Sequence, residues 1–256
     1  MATATLPEEN PTVGSLLQML RQSFNPRFNQ CEEARFVVAD LPLHRDRAQE
    51  ILPFGLRLAD PPTGTLFVVD YRRPAFCEPY LEAAFLVHVR TVLGRGLHCC
   101  WIVVDNDTPM IYGRETLAYP KKMAELRFEE TGDTVVASVR RRGVEVLSLQ
   151  ARRTGPLDDP DPIFGATTYN VGGIGEVLGL QPIWRFRLKE RVRESYRLDL
   201  ALTLRDSAFD PVARLVAGEP RQARMVIEDI AGAQTMLPVG FTGPKWLART
   251  FYMRYR

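Results

Sequence analysis

Apolar and polar residues alternate along much of this chain, and the alternation predicts a β-rich fold. Residues 65–104 hold three apolar runs, TLFVVDY, AAFLVHV and HCCWIVV, set apart by turns bearing proline or glycine, as successive strands would be. Further on, Trp184, Phe186 and Leu188 alternate with Arg185, Arg187 and Lys189; Tyr196, Leu198, Leu200, Leu202 and Leu204 then alternate with Arg197, Asp199, Ala201 and Thr203. Successive side chains on a strand point to opposite faces, so each run has one apolar and one wetter face. Paired with each other in antiparallel fashion, the two runs fit the wall of a curved sheet or barrel. RFVVADLPL, KKMAELRF, ARMVIEDIAGAQTML and the two halves of DTVVASVRRRGVEVLSLQ, folded about Gly143, supply further strands.

Helical spacing is confined to short stretches. Leu16, Leu17, Met19 and Leu20 share one helical face after a polar N-terminal tail. HRDRAQEILP predicts a short helix stopped by Pro53, because proline disfavours helical geometry in the residue before it. In DTPMIYGRETLA, Thr108 is placed to cap a helix whose first residue is Pro109, and Pro120 ends it. SAFDPVARLVAG predicts a short helix and PKWLARTFYMRY a terminal one. No repeat or linker divides the chain. The expected organisation is a tail and short helix in residues 1–30, followed by one β-rich α+β domain over residues 31–256.

Composition narrows the function classes. With 256 residues, 45% hydrophobic and 25% charged, the chain can bury a substantial core, which sets aside disordered and fibrous classes. No apolar run reaches the roughly 20 residues needed to span a bilayer, so no membrane partner and a soluble, cytoplasmic protein are expected. Cys31, Cys77, Cys99 and Cys100 lack the C-x-x-C spacing of a zinc or redox site and are expected to be buried free thiols. Three histidines, His44, His88 and His98, leave a histidine metal site to the convergence of all of them, and no metal is expected. A net charge of +2 implies no field strong enough to collect nucleic acid. The arginines of VRRRG and WRFRLKERVRESYR fall opposite apolar strand faces and fit a solvated sheet surface, so no nucleic-acid partner is expected. Gly173 and Gly175 are followed by Gly179, off the dinucleotide-binding spacing, and predict a loop.

One stretch resists a surface reading. GRETLAYPKKMAEL sets Lys121 and Lys122 side by side behind a Tyr-Pro corner, among Leu117, Ala118, Met123, Ala124 and Leu126. A lysine in apolar surroundings, or beside another cation, gives up its proton more easily and becomes a nucleophilic amine. Bringing such an amine from about 10.4 to near 7 corresponds to roughly 4 to 5 kcal/mol in favour of the neutral form. Adjacent side chains on a strand point apart, so adjacency in sequence does not by itself bring the two ammonium groups together.

GRETLAYPKKMA closely resembles the signature of the acetoacetate decarboxylase family, itself the standing example of a lysine activated in this way. PYLEAAFLVHV resembles the Tyr-x-Glu strand of that family, and SAFDPVARLVAGEPRQARMVIEDIAGAQTMLP is similar to its C-terminal region. The resemblance implies an antiparallel barrel-like β core with peripheral helices, whose interior holds Lys121 away from bulk water. It also implies that Lys121 forms a Schiff base, that Lys122 is the neighbour lowering its pKa, and that Glu82 faces the imine. Tyr80, two residues before Glu82 on the same strand face, is a candidate pocket hydroxyl. The family's second active-site glutamate falls near Phe67 or Val68, with Asp70 the nearest carboxylate, and its N-terminal arginine falls near Ala34, matched by Arg35 after a one-residue shift.

The implied activity is a lyase acting on a small keto acid without metal or organic cofactor, since the protonated imine is the electron sink. The resemblance favours decarboxylation of acetoacetate or a related β-keto acid. Two alternatives stand beside it: a pyruvate aldolase-dehydratase using the same lysine, and a non-catalytic pocket protein binding an apolar carboxylic acid. Relatives are oligomeric, so a homo-oligomer is expected.

Overall fold

Strand-period alternation over most of the chain gives one large sheet with a few helices at its margins. The computed structural model describes residues 29–172, 181–231 and 236–255. Residues 1–28 of the N-terminal tail and helix expected over 1–30, the glycines at 173, 175 and 179, and residues 232–235 of the expected strand lie outside that set; Asn29 and Gln30 already belong to the first strand. In chain order the elements are β1 (Asn29–Pro42), α1 (Arg45–Glu50), β2 (Arg57–Leu58), β3 (Thr63–Tyr71), β4 (Arg73–Pro74), β5 (Tyr80–Thr91) and β6 (Gly94–Val104). They continue with α2 (Asp107–Leu117), β7 (Lys121–Met123), β8 (Glu125–Thr131), β9 (Thr134–Arg141), β10 (Val144–Pro156), β11 (Thr168–Val171) and β12 (Gln181–Phe186). The last are β13 (Lys189–Leu204), β14 (Gln222–Ala231), β15 (Leu237–Thr242) and α3 (Pro244–Tyr255). None of the described helices is long and apolar enough to cross a membrane.

The sheet runs β15-β12-β11-β6-β5-β3-β1-β14-β13-β10-β9-β8, with β2 and β4 added on β5 and β1 and β7 on β6. Neighbours are antiparallel except for β11 and β7, which pair with β6 in parallel. The sheet is not closed, but it curls until β8 lies over β3 and β5, giving a barrel-like core. Strand parity divides the interior in two. Val37, Val68, Ala83, Phe85 and Val103 face inward across the curl toward Val135, Ala137, Leu147 and Leu149. Their sequence neighbours Phe36, Phe67, Ala84, Ile102 and Val104 face the other way, under Leu117 of α2 and Phe164.

Three expectations need correction. The alternating runs around Trp184 and Leu200 do not pair with each other: β12 lies between β11 and β15, and β13 between β10 and β14. Only Arg187 and Leu188 separate the two strands, and Leu188 is buried in the core where the chain changes direction. Asn106, not Thr108, caps α2; its side chain accepts the Thr108 N–H at 2.9 Å, so Pro109 falls third in the first turn, where a missing N–H still costs nothing. The helix expected from SAFDPVARLVAG is a single 3-10 turn over Ala213–Leu215.

Candidate active site

The register of three strands decides which side chains meet. Directly paired residues share a face of a sheet, and the face alternates along each strand. Glu82 of β5 pairs with Val104 and Ala84 with Ile102 of β6; Ile102 in turn pairs with Lys121 of β7, and Val103 with Lys122. Lys121 and Glu82 therefore share a face, two residues apart along the ladder. The Lys121 Nζ lies 2.6 Å from Glu82 Oε2, with the residues 7% and 2% exposed. This contact brings the charges together without hydrogen-bond angles, leaving Glu82 Oε2 with no donor of its own.

Helix α2 delivers Lys121 to this position. The helix ends at Ala118 in the left-handed conformation (φ 53°), the Tyr119 N–H returns to the Gly113 carbonyl at 3.0 Å, and Pro120 leads into β7. Arg114 of the same helix donates to the Lys121 carbonyl at 3.0 Å and ties strand to helix.

Around the ion pair lies a cavity of about 50 Å³, lined by Tyr71, Tyr80, Tyr112, Tyr119, Leu117 and Phe164 among others. Glu82 and Lys121 are its only carboxylate and its only basic side chain among the described residues. Tyr80 stacks on Tyr71 with ring centroids 4.6 Å apart, and Lys121 Nζ stands 5.6 Å from the Tyr80 centroid, a cation–π distance. Burial, reinforced by the Glu82 charge, pushes the Tyr71 and Tyr80 hydroxyls well above the ordinary tyrosine range, so both remain proton donors. Tyr71 reaches toward Glu82 Oε1 at 3.5 Å. Burial also pushes the thiols of Cys31 and Cys77, beside the cavity, up to about 12 and about 11, which withholds thiolate at neutral pH.

Lys122 points away from this cavity, into the face enclosed by the curl. Its Nζ lies 2.6 Å from Asp210 Oδ1 and 3.3 Å from the Phe209 carbonyl. Asp210, fully buried, also accepts from Trp101 Nε1 at 2.9 Å and from Arg141 Nη1 at 2.9 Å. Burial draws the Lys122 amine down to about 8 against the opposing pull of Asp210. Burial pushes the Asp210 carboxyl up, but Lys122, Trp101 and Arg141 together outweigh it and hold the group below its ordinary value.

Lys121, Glu82 and Tyr80 thus come together, while Lys122 and Arg35 do not join them. Arg35 shares its face of β1 with Val37 and binds Glu130 at 2.5 Å, in a cluster with Arg72 and Arg153. Asp70 pairs with Arg72 at 2.8 Å. Phe67 packs edge-on against Phe36 and Phe164 and supplies no carboxylate. Sequence reasoning missed Tyr71, Tyr119, Gly113 and the Asp210 cluster. Tyr71 was within reach, since it ends the alternating run of β3 on the same face as Phe67; Asp210 lies 88 residues from Lys122 with no local signal.

Gly113 is a notch for the lysine. A Cβ there would stand 2.5 Å from Lys121 Cε and 2.7 Å from Cδ. Gly113→Ala in a helix interior ordinarily stabilises by roughly 1 kcal/mol. Here the flexible end of Lys121 has to move instead, so the melting temperature should change little. A displacement of the amine by about 1 Å should lower kcat about 100-fold, and an unaltered kcat would remove the notch from the account of the site.

The profile of the family described as "Acetoacetate decarboxylase (ADC)" matches residues 18–237. No curated protein matches the chain in sequence. Among solved structures, the chain is similar to one from structural studies of acetoacetate decarboxylase, with a TM-score of 0.74, 18% identity, and coverage of 81% of this chain and 88% of that one. It is equally similar to the acetoacetate decarboxylase from Legionella pneumophila subsp. pneumophila str. Philadelphia 1, with a TM-score of 0.74, 18% identity, and coverage of 94% and 97%. The enduracididine biosynthesis enzyme MppR complexed with pyruvate aligns with a TM-score of 0.70 at 15% identity, over 81% of this chain and 89% of that one.

Proposed function

The chain belongs to the acetoacetate decarboxylase family, and from that premise we propose that it decarboxylates a small β-keto acid, acetoacetate or a close relative, through an imine on Lys121. The observation that carries this reading is the contact of Lys121 with Glu82 inside an apolar, tyrosine-lined cavity. Transfer of the ammonium proton to Glu82 leaves the amine a free lone pair with which to attack the substrate ketone. Loss of water gives a protonated imine. The bond to the carboxyl carbon then breaks, its electron pair moves into the iminium, and carbon dioxide leaves an enamine. Protonation of the enamine carbon, with Glu82 placed to supply the proton, and attack by water release the ketone and restore Lys121.

The apolar lining favours the bond-breaking step. A carboxylate and an iminium become neutral carbon dioxide and a neutral enamine, so charge is lost on the way to the transition state, and a weakly solvating site disfavours the charged reactant more. No arginine lines the cavity among the described residues to hold the carboxylate charge in place. A volume of about 50 Å³ suits a substrate of few atoms.

A second reading uses the same lysine to condense pyruvate with an aldehyde and eliminate water. The stretch at Phe67 and Val68 favours it, because apolar side chains stand where the family resemblance places a second glutamate. MppR, of similar fold, is described in complex with pyruvate. Incubation of the purified protein with acetoacetate should release carbon dioxide. Silence with acetoacetate, together with a new conjugated chromophore from pyruvate and an aldehyde, would replace the first reading by the second.

A further inference from the structure

A second and larger cleft, of about 490 Å³, opens on the same sheet face as Lys121 but at the other end of β5. Glu82 and His88 both lie on that face, and six residues at about 3.3 Å each separate them by roughly 20 Å. Ala84, Leu86, Phe36 and Phe67 fill the core between. The cleft is therefore a separate site and owes nothing to the imine chemistry. Gly96 helps to shape its wall: a Cβ there would stand 2.4 Å from the Thr167 carbonyl, so glycine lets that backbone approach.

The floor of the cleft is ordered. Thr65 Oγ1 lies 2.6 Å from Asp40 Oδ1 and 2.8 Å from His88 Nε2. A carboxylate only accepts, so the Thr65 hydroxyl donates to Asp40 and accepts from the His88 Nε2–H. That tautomer leaves His88 Nδ1 with a lone pair. Burial draws the His88 imidazole below its ordinary value, which keeps it neutral at pH 7. Because Thr65 sits between the acid and the imidazole, no nucleophile is activated, and the relay suits binding better than catalysis.

Besides His88, the charged or titratable groups of the lining, among the described residues, are three arginines and two aspartates. Arg224, 2% exposed, donates from Nη1 to Asp40 Oδ2 at 2.6 Å and from Nη2 to the Asp161 carbonyl at 3.4 Å, while its Nε has no partner. Arg95 and Arg187 stand exposed at the rim, and neither forms an ion pair among the described residues. Asp40 is taken up by Arg224, so Asp161 alone faces the two rim guanidinium groups.

We propose that this cleft binds a small organic dianion, a dicarboxylate or a phosphate monoester, whose charges are met by Arg95 and Arg187 at the rim and whose hydroxyl donates to His88. Its volume falls in the range of about 300–1,000 Å³ usual for small-molecule sites, and guanidinium forks match both carboxylate and phosphate. Calorimetric titration of the full chain with malate and, separately, with glycerol 3-phosphate, at constant ionic strength, distinguishes the two chemistries. At least one probe should bind saturably. The Arg95→Gln/Arg187→Gln double variant changes only exposed side chains, so its melting temperature should be unchanged while binding weakens at least about tenfold. The double variant Lys121→Met/Glu82→Gln, which removes both charges of the other cavity together, should bind as the parent does. Absence of saturable binding by both probes, undiminished binding in the arginine double variant, or loss of binding in a folded Lys121→Met/Glu82→Gln variant would each overturn the assignment.

Discussion

Lys121→Met will lose turnover by at least about four orders of magnitude, the scale on which removal of a covalent nucleophile acts. Reduction with borohydride in the presence of acetoacetate will add a substrate-derived or product-derived mass to the parent protein and none to the variant. The residue is 7% exposed and, among the described residues, supplies the only amine of the cavity lining, so the adduct is expected on it. Removing the lysine alone strands Glu82 as a buried carboxylate, which by itself can destabilise the fold. The double variant Lys121→Met/Glu82→Gln removes both charges and keeps similar volumes. Its thermal melt should lie near that of the parent, and it should be as inactive as the single variant. An adduct on another lysine would overturn the residue assignment, and a parent protein that gains no adduct with any keto acid would reduce the site to a passive pocket.

Asp210→Asn will cost stability rather than chemistry in the first instance. The carboxylate is fully buried and serves Lys122, Arg141 and Trp101 at once. Breaking a buried pair by neutralising one partner costs about 3–5 kcal/mol, because the remaining charge stays buried without compensation. Here two cations are left. Adding Lys122→Met should recover part of the loss, Arg141 remaining unmatched. Denaturant unfolding monitored by Trp fluorescence measures both steps. A single variant within about 1 kcal/mol of the parent would place it among ordinary surface changes and deny the cluster a structural role.

The fold was most legible where a strand is apolar on both faces or cleanly amphipathic. TLFVVDY, AAFLVHV and HCCWIVV became β3, β5 and β6 because each run is long, branched or aromatic and bounded by turn residues. The Arg142-Gly143 turn between β9 and β10 has positive φ at both residues (51° and 79°), and the glycine marked it in advance. Pairing was less legible: nothing in the pattern of Trp184 or Leu200 says which neighbour a strand takes when other edges compete. The site divided in the same way. Lys121 and Glu82 stood out through the family signature. The parting of Lys121 from Lys122 follows from alternation alone, once KKM is known to be a strand. The partner of Lys122 did not follow, because it arrives from a distant 3-10 turn region whose contact is made only by the tertiary fold.

That parting has a consequence for how the chain threads. β7 is three residues long and hydrogen-bonds in the sheet to β6 alone, so few backbone bonds oppose a shift of one residue. Such a shift would turn both lysines over, Lys122 toward Glu82 and Lys121 toward Asp210, and would move each amine about 3.3 Å along the strand from the place where the present contacts are made at 2.6 Å. Two acids on opposite sides of one short strand therefore act as a lock with two pins: the present alignment brings both amines to 2.6 Å from their acids, and it adds two ion pairs to a ladder that is only three residues long.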